Sequence, residues 1–220
     1  MSTALRLGRV SSVPTVTSNV IAAVALAGVP ARMTTVALVC FALSMMYVAG
    51  SFLNDAFDRD FDREHRPGRP IPAGDVSAAV VFDSGFAMLV SGIAVVAIAA
   101  VGLGAGWKPI VAIVGLAALI VMYDANHKDS RFAPLMMTLC RLCVYVTAAL
   151  LVGRGLSNQV VVGGGLLAAP FLVAAPTGRV VAAISLLDAG ACAYAGRPEL
   201  AIACGVACGV AVALQRMWRE

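Results

Sequence analysis

Residues 34–64 read TTVALVCFALSMMYVAGSFLNDAFDRDFDRE. Positions 34–53 carry no charge, and a run of that length matches the roughly 20 residues needed to cross a bilayer core. At Asn54 the composition reverses. Five of the chain's 12 acidic residues, Asp55, Asp58, Asp60, Asp62 and Glu64, follow within ten positions of one another. If the helix continues through this boundary, Asp55, Asp58 and Asp62 fall at i, i+3 and i+7, within about 60° on one face. Asn54 then sits beside Asp58 at i, i+4. An apolar span ending in a one-faced acidic patch is the feature around which the rest of the sequence is read.

Outward from this stretch, apolar runs recur at about 13–31, 34–53, 77–104, 107–123, 132–153, 157–176, 180–196 and 198–215. Of 220 residues, 60% are hydrophobic and 13% charged, against about a quarter charged in a soluble domain. The expected fold is all-α: a polytopic transmembrane helical bundle of about eight spans, forming one domain over residues 1–220 without room for a separate soluble module. The sixth run is the weakest, with Gly163, Gly164, Gly165 and Pro170, residues that membrane helices tolerate when neighbours re-satisfy the backbone. Arg6 and Arg9 before an apolar stretch ending in Ala25 and Ala27 imitate a secretory signal. The many spans that follow favour reading this stretch as the first helix.

Alternating the sides of the membrane separates the basic residues. Arg6, Arg9, Arg59, Arg63, Arg66, Arg69, Lys128, Arg131, Arg179, Arg216 and Arg219 share one side; Arg32, Lys108, Arg154 and Arg197 share the other. The excess places the first side, with both termini and the acidic loop, in the cytoplasm of an integral, multi-pass protein of bacterial inner-membrane type. The net charge of +4 is thus orientation charge in contact with membrane lipid. With no basic stripe interleaved with aromatics, nucleic acid is not an expected partner. The six cysteines all lie inside apolar runs and read as small packing residues, Cys140 and Cys143 included. Gly205 and Gly209 form a G-x-x-x-G that reads as close helix packing within the chain.

Three carboxylates on one face repel unless a cation sits between them. All-oxygen ligands suit Mg²⁺, which keeps waters and shares its shell with phosphates. Arg66 and Arg69 follow directly, and guanidinium groups match phosphate in charge and geometry. Asp55, Asp58 and Asp62 as metal ligands, with Arg66 and Arg69 on phosphate, describe a diphosphate site. Asp188 lies mid-span, where an ionisable group is either functional or hydrogen-bonded within the bundle. Arg141, inside the fifth run, pairs with phosphate or with Asp188. Asp124 and Asp129 read as solvated loop residues, and His65 and His127 as ordinary loop residues.

The segment Asn54-Asp55-Ala56-Phe57-Asp58-Arg59-Asp60-Phe61-Asp62 resembles the N-D-x-x-D-x-x-x-D signature of the UbiA-type intramembrane prenyltransferases. Arg69-Pro70-Ile71-Pro72-Ala73-Gly74 is similar to that family's R-P-[IL]-x-x-G. Arg9, Pro14 and Asn19 resemble its first-helix pattern, and Tyr123 with Lys128 its Y-x-x-x-K, here one residue longer. The resemblance covers residues 9 to about 153. It implies a transferase that moves an isoprenyl group from an isoprenoid diphosphate to a lipophilic, often aromatic, acceptor. Mg²⁺ would sit on Asp55, Asp58 and Asp62, and Asn19, Asn54, Arg66, Arg69, Tyr123 and Lys128 would contact substrate.

The chain departs from the family pattern in two ways. Members usually have nine spans and a second aspartate-rich motif after the sixth. Here Ala174-Ala175-Pro176-Thr177-Gly178-Arg179 carries no carboxylate, and the domain is short between about 155 and 180. Asp124, Asp129 or Asp188 would have to stand in. The alternative is a catalytically impaired UbiA-like membrane protein with a binding or assembly role. CDP-alcohol phosphotransferases require an Asp-Gly pair that this sequence lacks. A cation transporter would place polar residues mid-membrane in several helices, whereas only Asp188 and Arg141 do so here.

Overall fold

A computed structural model describes residues 3–128, 130–153, 155–172 and 178–218. Within them lie α1 (Thr3–Leu7), α2 (Val13–Ala27), α3 (Met33–Phe57), α4 (Arg59–His65), α5 (Ala78–Leu103), α6 (Lys108–Asn126), α7 (Ala133–Gly153), α8 (Asn158–Ala168), α9 (Gly178–Tyr194) and α10 (Pro198–Trp218). Each of the eight apolar runs contains a helix, the sixth only α8 and a 3-10 turn at Ala169–Leu172 among its described residues. Six are long and apolar enough to cross a membrane, and α8 and α9 are shorter. The helix ends follow local chemistry. Pro14 opens α2, and Gly28 at φ 68° closes it. The Ser77 hydroxyl accepts from the Val80 amide to start α5, and Gly104 at φ 63° ends it; both glycines adopt the left-handed backbone that a Cβ would strain.

α2 is the hub of the bundle, with 67% of its span buried against 17–39% in the other five long helices. It contacts α3, α7, α8, α9 and α10. Its sequence makes this possible: Ala22, Ala23 and Ala25 let neighbouring backbones approach, while Val20, Val24 and Leu26 fill the gaps between them. Large apolar residues such as Val90, Ile98, Val101 and Ile202 remain exposed on the outer helices, as expected of a surface solvated by lipid tails.

α3, which carries the acidic stretch, is held in place by α5. A Cβ built on Gly85 would lie 2.8 Å from Leu53 Cγ, and one on Gly92 would lie 2.6 Å from Met46 Sδ. Two α3 side chains thus press into two bare stretches of α5, and Leu53 is the residue just before Asn54. The packing expected at Gly205 and Gly209 is not found, because nothing lies within 4 Å of a Cβ at either position. Among the described residues the glycine spacing there makes no close helix crossing.

Gly85→Ala is therefore expected to lower the thermal unfolding midpoint of the detergent-solubilised protein, corresponding to a loss of about 1–3 kcal/mol. Gly102→Ala, at a position with nothing within 4 Å, should leave the midpoint unchanged or raise it slightly.

Candidate active site

The apolar run that begins α3 does not end the helix at Leu53. The Asp58 amide bonds to the Asn54 carbonyl at 2.9 Å and the Asp62 amide to the Asp58 carbonyl at 2.8 Å, so the ladder passes from α3 into α4 through Asp58, whose backbone sits at φ −80° and ψ −2°. Asp55, Asp58 and Asp62 consequently share one face. All three are buried, with 3%, 7% and 1% of their surface exposed. Buried carboxylates demand partners, and each has basic ones. Arg69 Nη1 donates to both Asp55 oxygens at 3.1 Å, and Arg9 Nη2 donates to Asp55 Oδ1 at 3.1 Å. Lys128 Nζ lies 2.8 Å from Asp58 Oδ1, and His127 Nε2 lies 3.6 Å from Asp58 Oδ2. Arg66 Nη1 lies 3.6 Å from Asp62 Oδ1. Burial pushes the Asp62 carboxyl pKa up; Arg69 and Arg66 pull against this, and Asp58 and Asp55 add to it.

These groups stand at one end of a cavity of about 560 Å³, within the range of about 300–1,000 Å³ typical of small-molecule sites. Asn19, Asn54, Asp58, Arg66, Arg69, Tyr123 and Lys128 all line it. Asp55 and Asp62 lie just behind the lining, one covered by Arg9 and Arg69, the other beside Arg66. Leu43, Met46, Leu116, Ile120 and Val144 form apolar wall. The result is a chamber with basic side chains, paired to buried carboxylates, around its mouth and a greasy interior.

α6 runs beside α3 in steps of one helical turn, with Ile120 against Gly50, Asp124 against Asn54, and His127 and Lys128 against Asp58. This corrects two expectations from the sequence. Asp124 is not a solvated loop residue: α6 continues to Asn126, and Asp124 is 5% exposed. Asn54 Nδ2 donates to its Oδ1 at 3.3 Å. His127 is not a bystander either, since it faces Asp58 and stacks on Tyr123 with ring centroids 5.0 Å apart. Both were hidden by reading the apolar run as ending at residue 123. Asp129, considered alongside Asp124, lies outside the described residues, as do 173–177 of the stretch where a second motif would fall. Asp188 does not reach the mouth. Its carboxylate is enclosed by Ser18, Asn19 and Tyr145 of α2 and α7.

Arg9 is the other residue whose weight the sequence understated. It has a left-handed backbone, φ 42° and ψ 46°, uncommon for a residue with a Cβ. From there its guanidinium reaches Asn54 Oδ1 at 2.6 Å as well as Asp55. Arg6, one turn earlier, donates to the Gly68 carbonyl at 2.7 Å and pairs with Asp75 at 3.5 Å. The N-terminal turn is thereby strapped over the acidic loop.

The donor set suits a hard divalent cation. Two buried carboxylate oxygens, Asp62 Oδ1 and Asp124 Oδ2, lack a hydrogen-bond partner, and the groups around them offer oxygen rather than sulfur, as Mg²⁺ prefers. Among the described residues no three acidic, histidine or cysteine groups already converge as a closed metal cage.

Comparison with known proteins identifies the family of this helical membrane bundle. The chain belongs to the UbiA prenyltransferase family, whose profile matches residues 12–216. It is similar to a digeranylgeranylglyceryl phosphate synthase from Methanoculleus marisnigri, 40% identical over 58 residues, which is 26% of this chain and 21% of that protein. A solved structure of a digeranylgeranylglyceryl phosphate synthase superposes with a TM-score of 0.64 at 18% identity, covering 89% of this chain and 64% of that one. A UbiA homolog from Archaeoglobus fulgidus bound to DMAPP and Mg²⁺ gives 0.62 at 16% identity, covering 98% and 86%. The same homolog bound to GPP and Mg²⁺ gives 0.61 at 17%, covering 98% and 87%. These likenesses establish the fold.

Asp55→Ala would leave the Arg9 and Arg69 guanidinium groups without their shared acceptor. The expected cost is about 1–3 kcal/mol, read as a lower midpoint in thermal unfolding. Asp60→Ala removes a carboxylate that is 68% exposed and should change the midpoint little.

Proposed function

We propose that this chain is a single, shortened UbiA-like domain that transfers an isoprenyl group from an isoprenoid diphosphate to a lipophilic, often aromatic, acceptor. Its site loops and both termini face the cytoplasm. The observation that carries the reading is the cavity itself, whose cationic mouth suits a diphosphate and whose apolar interior suits a hydrocarbon tail. The ligands named for the relatives in the family, DMAPP and GPP with Mg²⁺, are of the same head-and-tail kind.

Asp55, Asp58 and Asp62 are the residues that would hold Mg²⁺. Asp58 faces the cavity, Asp55 and Asp62 flank it, and Asp124 adds a carboxylate from the adjoining helix α6. When bound, the ion supplies positive charge against the diphosphate. The chain's own groups do the rest. Arg66, Arg69 and Lys128 lie where negative charge develops as the carbon–oxygen bond breaks, and fixed donors aimed at developing charge lower the barrier most in a site poor in water. Asn54 orients two of these elements at once, since its oxygen receives Arg9 and its amide nitrogen meets Asp124. Tyr123 forms cavity wall beside the mouth. The apolar wall keeps water away from an allylic cation, so that the acceptor rather than water captures it.

A second reading, a binding or assembly role, is favoured by one feature: Arg9 and Arg69 already occupy Asp55. The same assay decides between them. Purified protein with Mg²⁺, labelled farnesyl or geranylgeranyl diphosphate and a panel of lipophilic phenolic acceptors should release diphosphate as the prenylated acceptor forms, and Asp58→Ala should slow release by about 100-fold or more. Asp124→Asn should reduce it while leaving the fold intact by thermal unfolding. Mg²⁺-independent behaviour, or indifference to Asp58→Ala, would remove the enzymatic reading.

A further inference from the structure

Phe61 stands apart from the other mouth residues because core packing does not account for it. It is a large apolar side chain in the acidic helix α4, with 38% of its surface exposed, and it lines the cavity. It follows Asp58 by three positions, so carboxylate and ring lie one turn apart on the same side of the helix. His65, four positions further on, stacks on the ring with centroids 4.1 Å apart and an interplanar angle of 11°. The His65 Nδ1 lies 3.0 Å from the Phe61 carbonyl oxygen, which fixes the imidazole against α4.

Lys128 reaches this pair from the end of α6. Its Nζ lies 2.8 Å from Asp58 Oδ1 and 3.7 Å from the centroid of the Phe61 ring. An imidazole and an ammonium that close to one ring cannot share a face, so Phe61 is held between them. The ammonium therefore has a two-point seat, one point charged and the other neutral. The quadrupole of an aromatic face attracts a cation, the more so where water is scarce. Lysine needs such a seat more than arginine does, because its charge rides on a flexible four-carbon stem. Arg66 Cζ, at 5.8 Å, lies at the outer reach of the same ring. The two points differ in what competes for them. Asp58 is one of the carboxylates that would hold Mg²⁺, and the ion would draw on the charge that now holds Lys128. A ring face offers no oxygen to a hard cation, so it stays with the lysine.

We propose that Phe61 is a positioning residue for the donor: its ring keeps the Lys128 ammonium at the mouth, aimed at the diphosphate, when Asp58 turns to the metal ion. This rests on the transferase reading and deepens it, by separating the group that holds the metal from the group that holds the cation beside it. Phe61 itself touches no reacting atom. It acts through Lys128, and its contribution lies in the electron density of its face rather than in its bulk.

The test uses the full chain in detergent with Mg²⁺, and calorimetry measures its affinity for the unreactive geranylgeranyl thiolodiphosphate. Phe61 is replaced by mono-, di- and trifluorophenylalanine, which withdraw electron density from the ring face with little change of shape. Affinity should fall stepwise along the series, by about threefold to tenfold at its end. Phe61→Leu should match the end of the series, and Phe61→Tyr, which keeps an aromatic face, should bind as wild type does. In a Lys128→Met background the stepwise fall should vanish, as expected if the two residues act as one unit. The thermal unfolding midpoint of the unliganded protein should stay level along the series. Flat affinity along the fluorinated series would overturn the proposal, even if Phe61→Leu does not fold. So would a fall that persists in Lys128→Met, which would assign the ring to Arg66, or one that tracks the unfolding midpoint, which would make Phe61 a packing residue. Failure of wild-type protein to bind the donor analogue at all would instead overturn the transferase reading, and this proposal with it.

Discussion

Burying carboxylate at the end of a membrane helix is the constraint on which this structure turns. Ionised groups removed from water are tolerated only when paired, and Asp55, Asp58 and Asp62 draw their partners from three separate parts of the chain. Arg9 comes from ahead of α2, Arg66 and Arg69 from the loop after α4, and His127 and Lys128 from the end of α6. Electrostatic necessity thus gathers basic side chains around one helix end, and the same pairs tie that end of the bundle together.

Packing makes that gathering reproducible. Gly85 and Gly92 seat Leu53 and Met46 of α3, fixing the rotation of the helix just where its composition turns acidic. α2, surrounded on all sides, carries Asn19 into the chamber from the centre of the fold. Asn19, Asn54, Asp55 and Asp124 are thus carried by packed helices, while Arg9, Arg66, Arg69 and Lys128 come from the segments at helix ends.

Much of this could be read from the chain. Hydropathy is a one-dimensional property, so the positions of the apolar helices emerged from the sequence, while ends such as those of α6 and α8 did not. The one-faced arrangement of Asp55, Asp58 and Asp62 followed from helical periodicity once the helix was allowed past Leu53. Asp124 was misread because three further residues of helix, invisible to an apolar count, carry it into the wall. The enclosure of Asp188 depends on Ser18, Asn19 and Tyr145, which lie far away in sequence, and no local pattern records such a meeting. Gly205 and Gly209 failed for the opposite reason: the spacing is local, but its meaning depends on whether a neighbour is there.

The left-handed turn at Arg9 has a consequence for how the polypeptide divides its free energy. A non-glycine residue in that region carries roughly 1–3 kcal/mol of strain, and glycine would relieve it while erasing the two contacts the guanidinium makes. An arginine kept there is a local sacrifice of comfort to charge placement. Replacements chosen only to ease the backbone would make a sturdier molecule whose entrance no longer held its charges in register.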